Sequence, residues 1–252
     1  MLERQEIERV AGIKRLSEKN AEKDYLLELL LFLLASETGK KLVFKGGTAL
    51  YKLYSLNRFS EDLDFTLDPA KFAVEKLFTK IMKKLKNVGV TGRIKAIEDY
   101  ANQKNIKLEL KGPLFDGNVK NISVLSVNIS VKEKPLYEPE PRKIFPQYQD
   151  IPAFDVFVMP LNELFAEKVR ALLTRHKARD VYDIWFLLSK GAKLDTSDVN
   201  KKLKKYGLLF SRKDFIVKLD EKEKSWKPDL GGLVIGELPD FKSVKKSILD
   251  RI

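Results

Sequence analysis

The chain has 252 residues, 44% of them hydrophobic, and carries a formal net charge of +12 with 48 Lys and Arg against 36 Asp and Glu. That is enough apolar material for one large domain or two modest ones and leaves disorder as no one's expectation. With no cysteine and a single histidine, His176, disulfide frameworks, thiol catalysis and Cys/His zinc centres are excluded, so carboxylates, lysines and hydroxyls must carry any chemistry. The positive charge favours a polyanionic partner such as nucleic acid, while a lysine-rich surface adapted to solubility or heat explains it equally well.

The first forty residues read as two helices. Leu2, Ile7, Val10, Ile13 and Leu16 recur at helical spacing, and Asn20 can cap a second, strongly apolar helix that stops at Gly39. Its run from Tyr25 to Ala35 is broken by Glu28 and falls short of the roughly 20 residues a bilayer span needs. The N-terminal "MLERQEIERV" lacks the apolar centre of a signal peptide, so a cytoplasmic protein without membrane attachment is expected.

Lys41 to Phe44 then reads as a short strand, Gly46-Gly47 as a tight turn, Thr48 to Tyr54 as a helix and Glu61 to Leu67 as a second strand. Asp68-Pro69 signals a helix start. From Val90 to Val131 the texture is β, consistent with an antiparallel extension of the same sheet. Residues 132 to 154 contain five prolines and little periodicity, so 136–154 is expected to be a linker between a first domain, 1–135, and a helical second one, 155–252. The second begins with "FDVFVMP" as a strand, followed by two strong helices, Leu161 to Thr174 and Ala178 to Leu188, and weaker helical patterns near 196–206, 211–225 and 240–251. Residues 200–252 hold 14 Lys and Arg against 8 Asp and Glu, which makes that tail the better candidate for a nucleic-acid face.

Two features carry the chemistry. In the strand "DLDFTL", residues two apart share a face, so Asp62 and Asp64 lie side by side while Leu63, Phe65 and Leu67 face a core. Adjacent carboxylates repel unless a cation lies between them, and an oxygen-only donor set suits Mg²⁺. An edge strand presenting acids to water gives the same pattern. The glycine turn before it lets the backbone approach a triphosphate, with the N–H groups and dipole of the following helix favouring the anion and Thr48 adding a hydroxyl donor. Taken alone, Gly-Gly is also an ordinary turn. The loop between these features contributes Arg58 and Ser60.

"GGTALYKLYSLNRFSEDLDF" resembles the signature of the nucleotidyltransferase superfamily in the form carried by AbiEii-like nucleotidyltransferases, the toxins of type IV toxin-antitoxin systems, and "NELFAEKVRALLTRHKARDVYDIWFLL" is similar to that family's "EK…KARDxYDxW" region. The resemblance covers roughly residues 20 to 190. It implies an α+β fold, a mixed sheet flanked by helices and followed by a mainly helical C-terminal part. It also implies an enzyme that moves NMP from an NTP to an acceptor hydroxyl, with Mg²⁺, a tRNA 3′ end as acceptor and a cognate antitoxin as partner.

Carried over by position, Gly46, Gly47 and Thr48 would hold the triphosphate, with Ser60 beside them in the nucleotide site. Asp62 and Asp64 would hold Mg²⁺, Lys168 would neutralise phosphate charge, and Asp180 would orient that lysine or the incoming hydroxyl. Arg58 would reach the nucleotide or brace the loop, and Arg179 and Asp183 would form structural pairs and caps. The apolar positions around Lys168 and Asp180 also fit a plain helical hairpin with charges on its outer face. Members commonly use a third carboxylate from a later strand, where this chain has Asn128, a neutral-oxygen metal ligand. Glu109 would substitute if its side chain faces the same way. The alternatives are a non-catalytic nucleotide- or RNA-binding member and a protein serving mainly to engage an antitoxin.

Overall fold

The computed structural model describes residues 2–67, 73–100, 103–131 and 134–252. The helix start read at Asp68-Pro69 lies outside them. The chain divides into two compact units, one formed by 1–54, 60–135 and 139–158, the other by 55–59, 136–138 and 159–252.

The first unit opens with helices α1 (Arg4–Lys14) and α2 (Glu18–Thr38). Ser17, rather than Asn20, caps α2, its hydroxyl accepting from the Asn20 amide. Asn20 already lies inside the first turn, where it supplies a backbone donor that a cap must satisfy. Nearly every side of α2 is covered. Leucines 26, 27, 30, 31 and 34 are buried in the core, and Asp24 and Glu28 are buried as well.

These two acids are matched by cations from neighbouring elements. Lys14 reaches Asp24 at 2.5 Å, and Lys52 of α3 (Gly46–Tyr54) reaches Asp24 at 2.7 Å and pairs with Glu28. The Tyr148 hydroxyl donates to Asp24 at 2.9 Å. Buried charges survive only when paired in this way, and the pairing fixes α3, the helix that follows the glycine turn, against α2.

The remaining elements of this unit are β1 (Leu42–Lys45), β2 (Asp62–Leu67), α4 (Val74–Asn87), β3 (Thr91–Tyr100), β4 (Gln103–Lys111), β5 (Ser123–Ser130), β6 (Glu140–Ile144) and β7 (Phe154–Val158). The strands form one mixed sheet in the order β3-β4-β5-β2-β1-β7-β6. β2 runs parallel to β5, and β1 parallel to β7; β1–β2, β3–β4, β4–β5 and β6–β7 are antiparallel. Leu63, Phe65, Ile106, Leu108, Leu125, Val127 and Ile129 alternate onto one face and join the core with α2 and α4.

The proline-rich stretch expected as a linker contributes β6 to this sheet. β6 carries Pro141, and it sits at the sheet edge, where proline is tolerated because its missing N–H need not serve a ladder. Tyr148 from the same stretch is 1% exposed. Periodicity is weak there because one short edge strand and a packed loop replace a regular element.

The second unit contains α5 (Leu161–Thr174), α6 (Arg179–Ser189), α7 (Thr196–Leu203), α8 (Arg212–Asp220), α9 (Glu223–Leu230) and α10 (Phe241–Leu249). Two earlier segments belong to it. Phe59 N–H donates to the Leu233 carbonyl and Ile235 N–H to that of Asn57, and the Glu163 carboxylate accepts from the backbone amides of Leu136 and Tyr137. No described helix is long and apolar enough to cross a membrane.

Candidate active site

The register of the sheet builds the aspartate site. Asp64 lies opposite Lys45 on β1 and opposite Asn128 on β5, and Asn128 in turn lies opposite Asn105 on β4. Side chains in register share a face, so Asp62 and Asp64 project together, both half-buried, on the side away from the leucine core.

Asp64 is held from two directions. The Asn128 Nδ2 donates to its Oδ1 at 3.0 Å. On the other side is the bare backbone of Gly46, whose φ is +77° and where a Cβ would stand 2.2 Å from Asp64 Oδ2 and 2.8 Å from its Cβ. Only glycine meets both demands, a left-handed φ and a side chain stacked where its own would be. Gly46→Ala is therefore expected to destabilise the protein by about 1–2 kcal/mol from backbone strain alone and to displace Asp64. Chemical denaturation measures the first effect, and divalent-cation binding the second.

Gly46 and Gly47 begin α3, and Thr48 follows one residue later. The N-terminus of that helix thus adjoins Asp64. The donor role expected of Thr48 is corrected: the residue is fully buried and its hydroxyl donates to the Asp62 backbone carbonyl. A strand-to-helix tie takes the proton that a phosphate would need. Ser60 is buried in the segment entering β2.

An oxygen donor set made of two adjacent, half-exposed carboxylates fits Mg²⁺. The Asn128 amide presents nitrogen, not oxygen, to Asp64. Glu109 does not substitute. It lies opposite Val124, four residues along β4 from Asn105 or about 13 Å, and is bound by Arg93 at 2.8 Å and Lys95 at 2.9 Å. Among the described residues no group of three or more His, Cys, Asp or Glu converges on one point.

In the second unit a buried charge cluster gathers the other motif residues. Arg58 forks onto Asp183 with two bonds of 2.7 Å and donates a third to the Phe59 carbonyl at 3.1 Å. It braces the loop; the nucleotide contact expected as its other role is corrected, since each guanidinium nitrogen is engaged inside the unit. Lys168 Nζ contacts Asp183 at 2.6 Å and Asp180 at 3.3 Å, so Asp183 is its nearer partner. Arg175 forks onto Asp180 at 2.7 and 2.8 Å and is half exposed.

Burial alone would raise the Asp180 carboxyl, yet the Lys168 charge and the Arg175 fork outweigh it and hold it well below the usual carboxylate range. Burial likewise opposes ionisation of Asp183, and the Arg58 and Lys168 charges overcome it. Three cations thus surround two anions, leaving one positive charge in excess. Sequence reasoning missed Arg175, Asn105 and Gln103. The first stands three residues after Leu172 in a helix end that periodicity treats as outer face, and the others lie in a strand whose polar side carried no motif.

The family model described as nucleotidyl transferase AbiEii toxin, type IV TA system, matches residues 29–247. Among solved structures the fold is similar to JHP933 from Helicobacter pylori, with 23% identity, a TM-score of 0.61 and coverage of 92% of this chain and 90% of that one. It is similar also to MenT4, a nucleotidyltransferase toxin from Mycobacterium tuberculosis, with 19% identity, a TM-score of 0.66 and coverage of 100% and 88%. No match is found among curated proteins. A family match over that length, on a sheet that sets a glycine turn directly against Asp64, makes the chain a member of the AbiEii nucleotidyltransferase toxin family of type IV toxin-antitoxin systems.

Proposed function

We propose that this protein transfers a nucleoside monophosphate from an NTP to the 3′-terminal hydroxyl of an RNA, tRNA in particular, in the cytoplasm, and that a cognate antitoxin restrains it. The observation that carries the reading is Asp64, clamped between the Gly46 backbone and the Asn128 amide, beside Asp62 and at the start of α3. In the reaction the acceptor hydroxyl gives up its proton to solvent as its oxygen attacks the α-phosphorus, the bond to the bridging oxygen of the β-phosphate breaks, and pyrophosphate leaves with that bond's electron pair. Mg²⁺ bound by Asp62 and Asp64 would lower the charge on the phosphates and on the entering oxygen. The α3 N-terminus at Gly46-Gly47 binds phosphate oxygens through backbone N–H groups. In the second unit Asp180 and Asp183 hold the Lys168 ammonium in one place, which supports the phosphate-neutralising role that the family pattern implies for that lysine.

The RNA partner is supported by the excess charge of residues 200–252 and by an open groove of about 800 Å³ lined in part by Asn200, Lys201, Lys204 and Leu209. If phosphates bind there, tRNA affinity falls steeply between about 50 and 200 mM salt, with a slope set by the number of contacts. A filter-binding titration at several salt concentrations gives that slope, and a flat response would exclude a phosphate-dominated interface.

A second reading, a member that binds nucleotide without turnover, is favoured by the amide of Asn128 where a third carboxylate is expected. Incubation with labelled NTPs, Mg²⁺ and total tRNA separates the two. Label entering tRNA supports the transferase. Protein that binds nucleotide but labels nothing with any of the four NTPs supports the second reading.

A further inference from the structure

The Asn128 amide is engaged at both ends, and the arrangement extends the site to a third strand. Its Nδ2 donates to Asp64, while its Oδ1 accepts from Asn105 Nδ2 at 2.5 Å and from Gln103 Nε2 at 3.2 Å. The three residues Asp64, Asn128 and Asn105 are direct register partners across β2, β5 and β4, so the chain of hydrogen bonds follows the sheet's own ladder. Reversing the Asn128 amide would set oxygen against the Asp64 carboxylate and NH₂ against the NH₂ of Asn105. Both contacts would be repulsive, which makes the observed orientation the stable one.

Asn105 is costly in itself. Its Oδ1 is buried and has no hydrogen-bond partner among the described residues, a penalty on the order of 1–3 kcal/mol. Fold stability therefore does not account for asparagine at this position, whereas its NH₂ has a defined task.

We propose that Asn105 is a positioning residue of the aspartate site: it holds the Asn128 amide with nitrogen toward Asp64, so that position 128 acts as a hydrogen-bond donor fixing the second carboxylate rather than as a third cation ligand. The proposal rests on the reading of Asp62 and Asp64 as a divalent-cation site. It accounts for what takes the place of the missing acid. Asp64 accepts the relay from β4 on one oxygen and has the other beside the Gly46 backbone, and a cation is left to the two aspartates.

The test reverses the amide. In Asn105→Asp the new carboxylate only accepts, so it draws Asn128 Nδ2 toward itself and turns Oδ1 toward Asp64, where a cation would be coordinated. Mn²⁺ affinity, read by the loss of the free-ion electron paramagnetic resonance signal, is expected to rise about tenfold, the usual scale for a change in a ligand's supporting partner. In an Asn128→Leu background the same substitution is expected to change affinity by about threefold or less, the contribution of added charge alone. Equal shifts in the two backgrounds overturn the proposal. Asn105→Leu, which removes the unpartnered oxygen, is expected to unfold at or above the wild-type temperature, and a marked fall would show that Asn105 serves the fold instead. Should wild type bind Mn²⁺ no better than Asp64→Ala, the cation site itself fails and the proposal with it. If wild type binds, Asp64→Ala does not, and the shift ignores residue 128, the proposal alone fails.

Discussion

Asp64→Ala is expected to lower nucleotidyl transfer by at least a hundredfold, about 3 kcal/mol of transition-state stabilisation, while changing folding stability by no more than about 1 kcal/mol. The two halves of this expectation have different origins. Asp64 is half-buried, and the one side-chain hydrogen bond it accepts in the described structure comes from Asn128. Its removal leaves that amide unpaired but relieves repulsion from Asp62 on the same face. Function loses a charge that the Gly46 contact and the Asn128 bond hold in one orientation. Labelled-NTP incorporation and thermal unfolding of the same preparations check both parts. A comparable loss of stability and activity would place Asp64 in the fold, and unchanged transfer would remove the aspartate pair from the reaction. Asp64→Asn is the sharper control, since it keeps the shape against Gly46 and an oxygen that can accept from the Asn128 amide while removing the charge.

The part of this site that sequence exposes is the part governed by short-range rules. Strand alternation places Asp62 and Asp64 on one face, and the structure puts them there. A glycine pair between strand and helix implies close approach to the backbone, which is found at Gly46, although the approaching group is the Asp64 side chain itself. Partners distant along the chain were not legible. Arg58 and Asp183 are separated by 125 residues, and nothing local to "NRF" distinguishes an arginine that grips a buried aspartate from one that reaches a ligand. Asn128 could be placed on a strand, but which end of its amide faces Asp64 depends on Asn105, and so on the register of β4 against β5. Thr48 shows the same limit, because a hydroxyl at a helix start serves a ligand or a neighbouring strand according to what the tertiary fold brings near it.

The largest stability effect is expected at Asp183. It is fully buried, accepts both bonds of the Arg58 fork and also contacts Lys168. Asp183→Ala would strand the Arg58 guanidinium, which is 2% exposed, and breaking one side of such a pair typically costs about 3–5 kcal/mol because the remaining charge stays buried. Replacing both partners, as in Arg58→Met with Asp183→Leu, is expected to recover much of that loss, since the desolvation penalty disappears with the charges. Urea denaturation of the two single variants and the double variant measures the coupling, and additive losses would contradict the pairing. The pH response follows from the same cluster. Asp180 and Asp183 both have carboxyls lowered below their ordinary value, so the folded state binds fewer protons than the unfolded chain. Their stabilisation is fully present above the unfolded aspartate value of about 3.9 and is lost as pH falls below it toward the lowered folded values. Between neutral pH and about 5 these two groups therefore contribute a flat stability profile, and the decline begins near 4. In Asp183→Ala that decline is expected to be shallower, because one of the two depressed carboxyls is gone while Asp180 keeps Lys168 and Arg175.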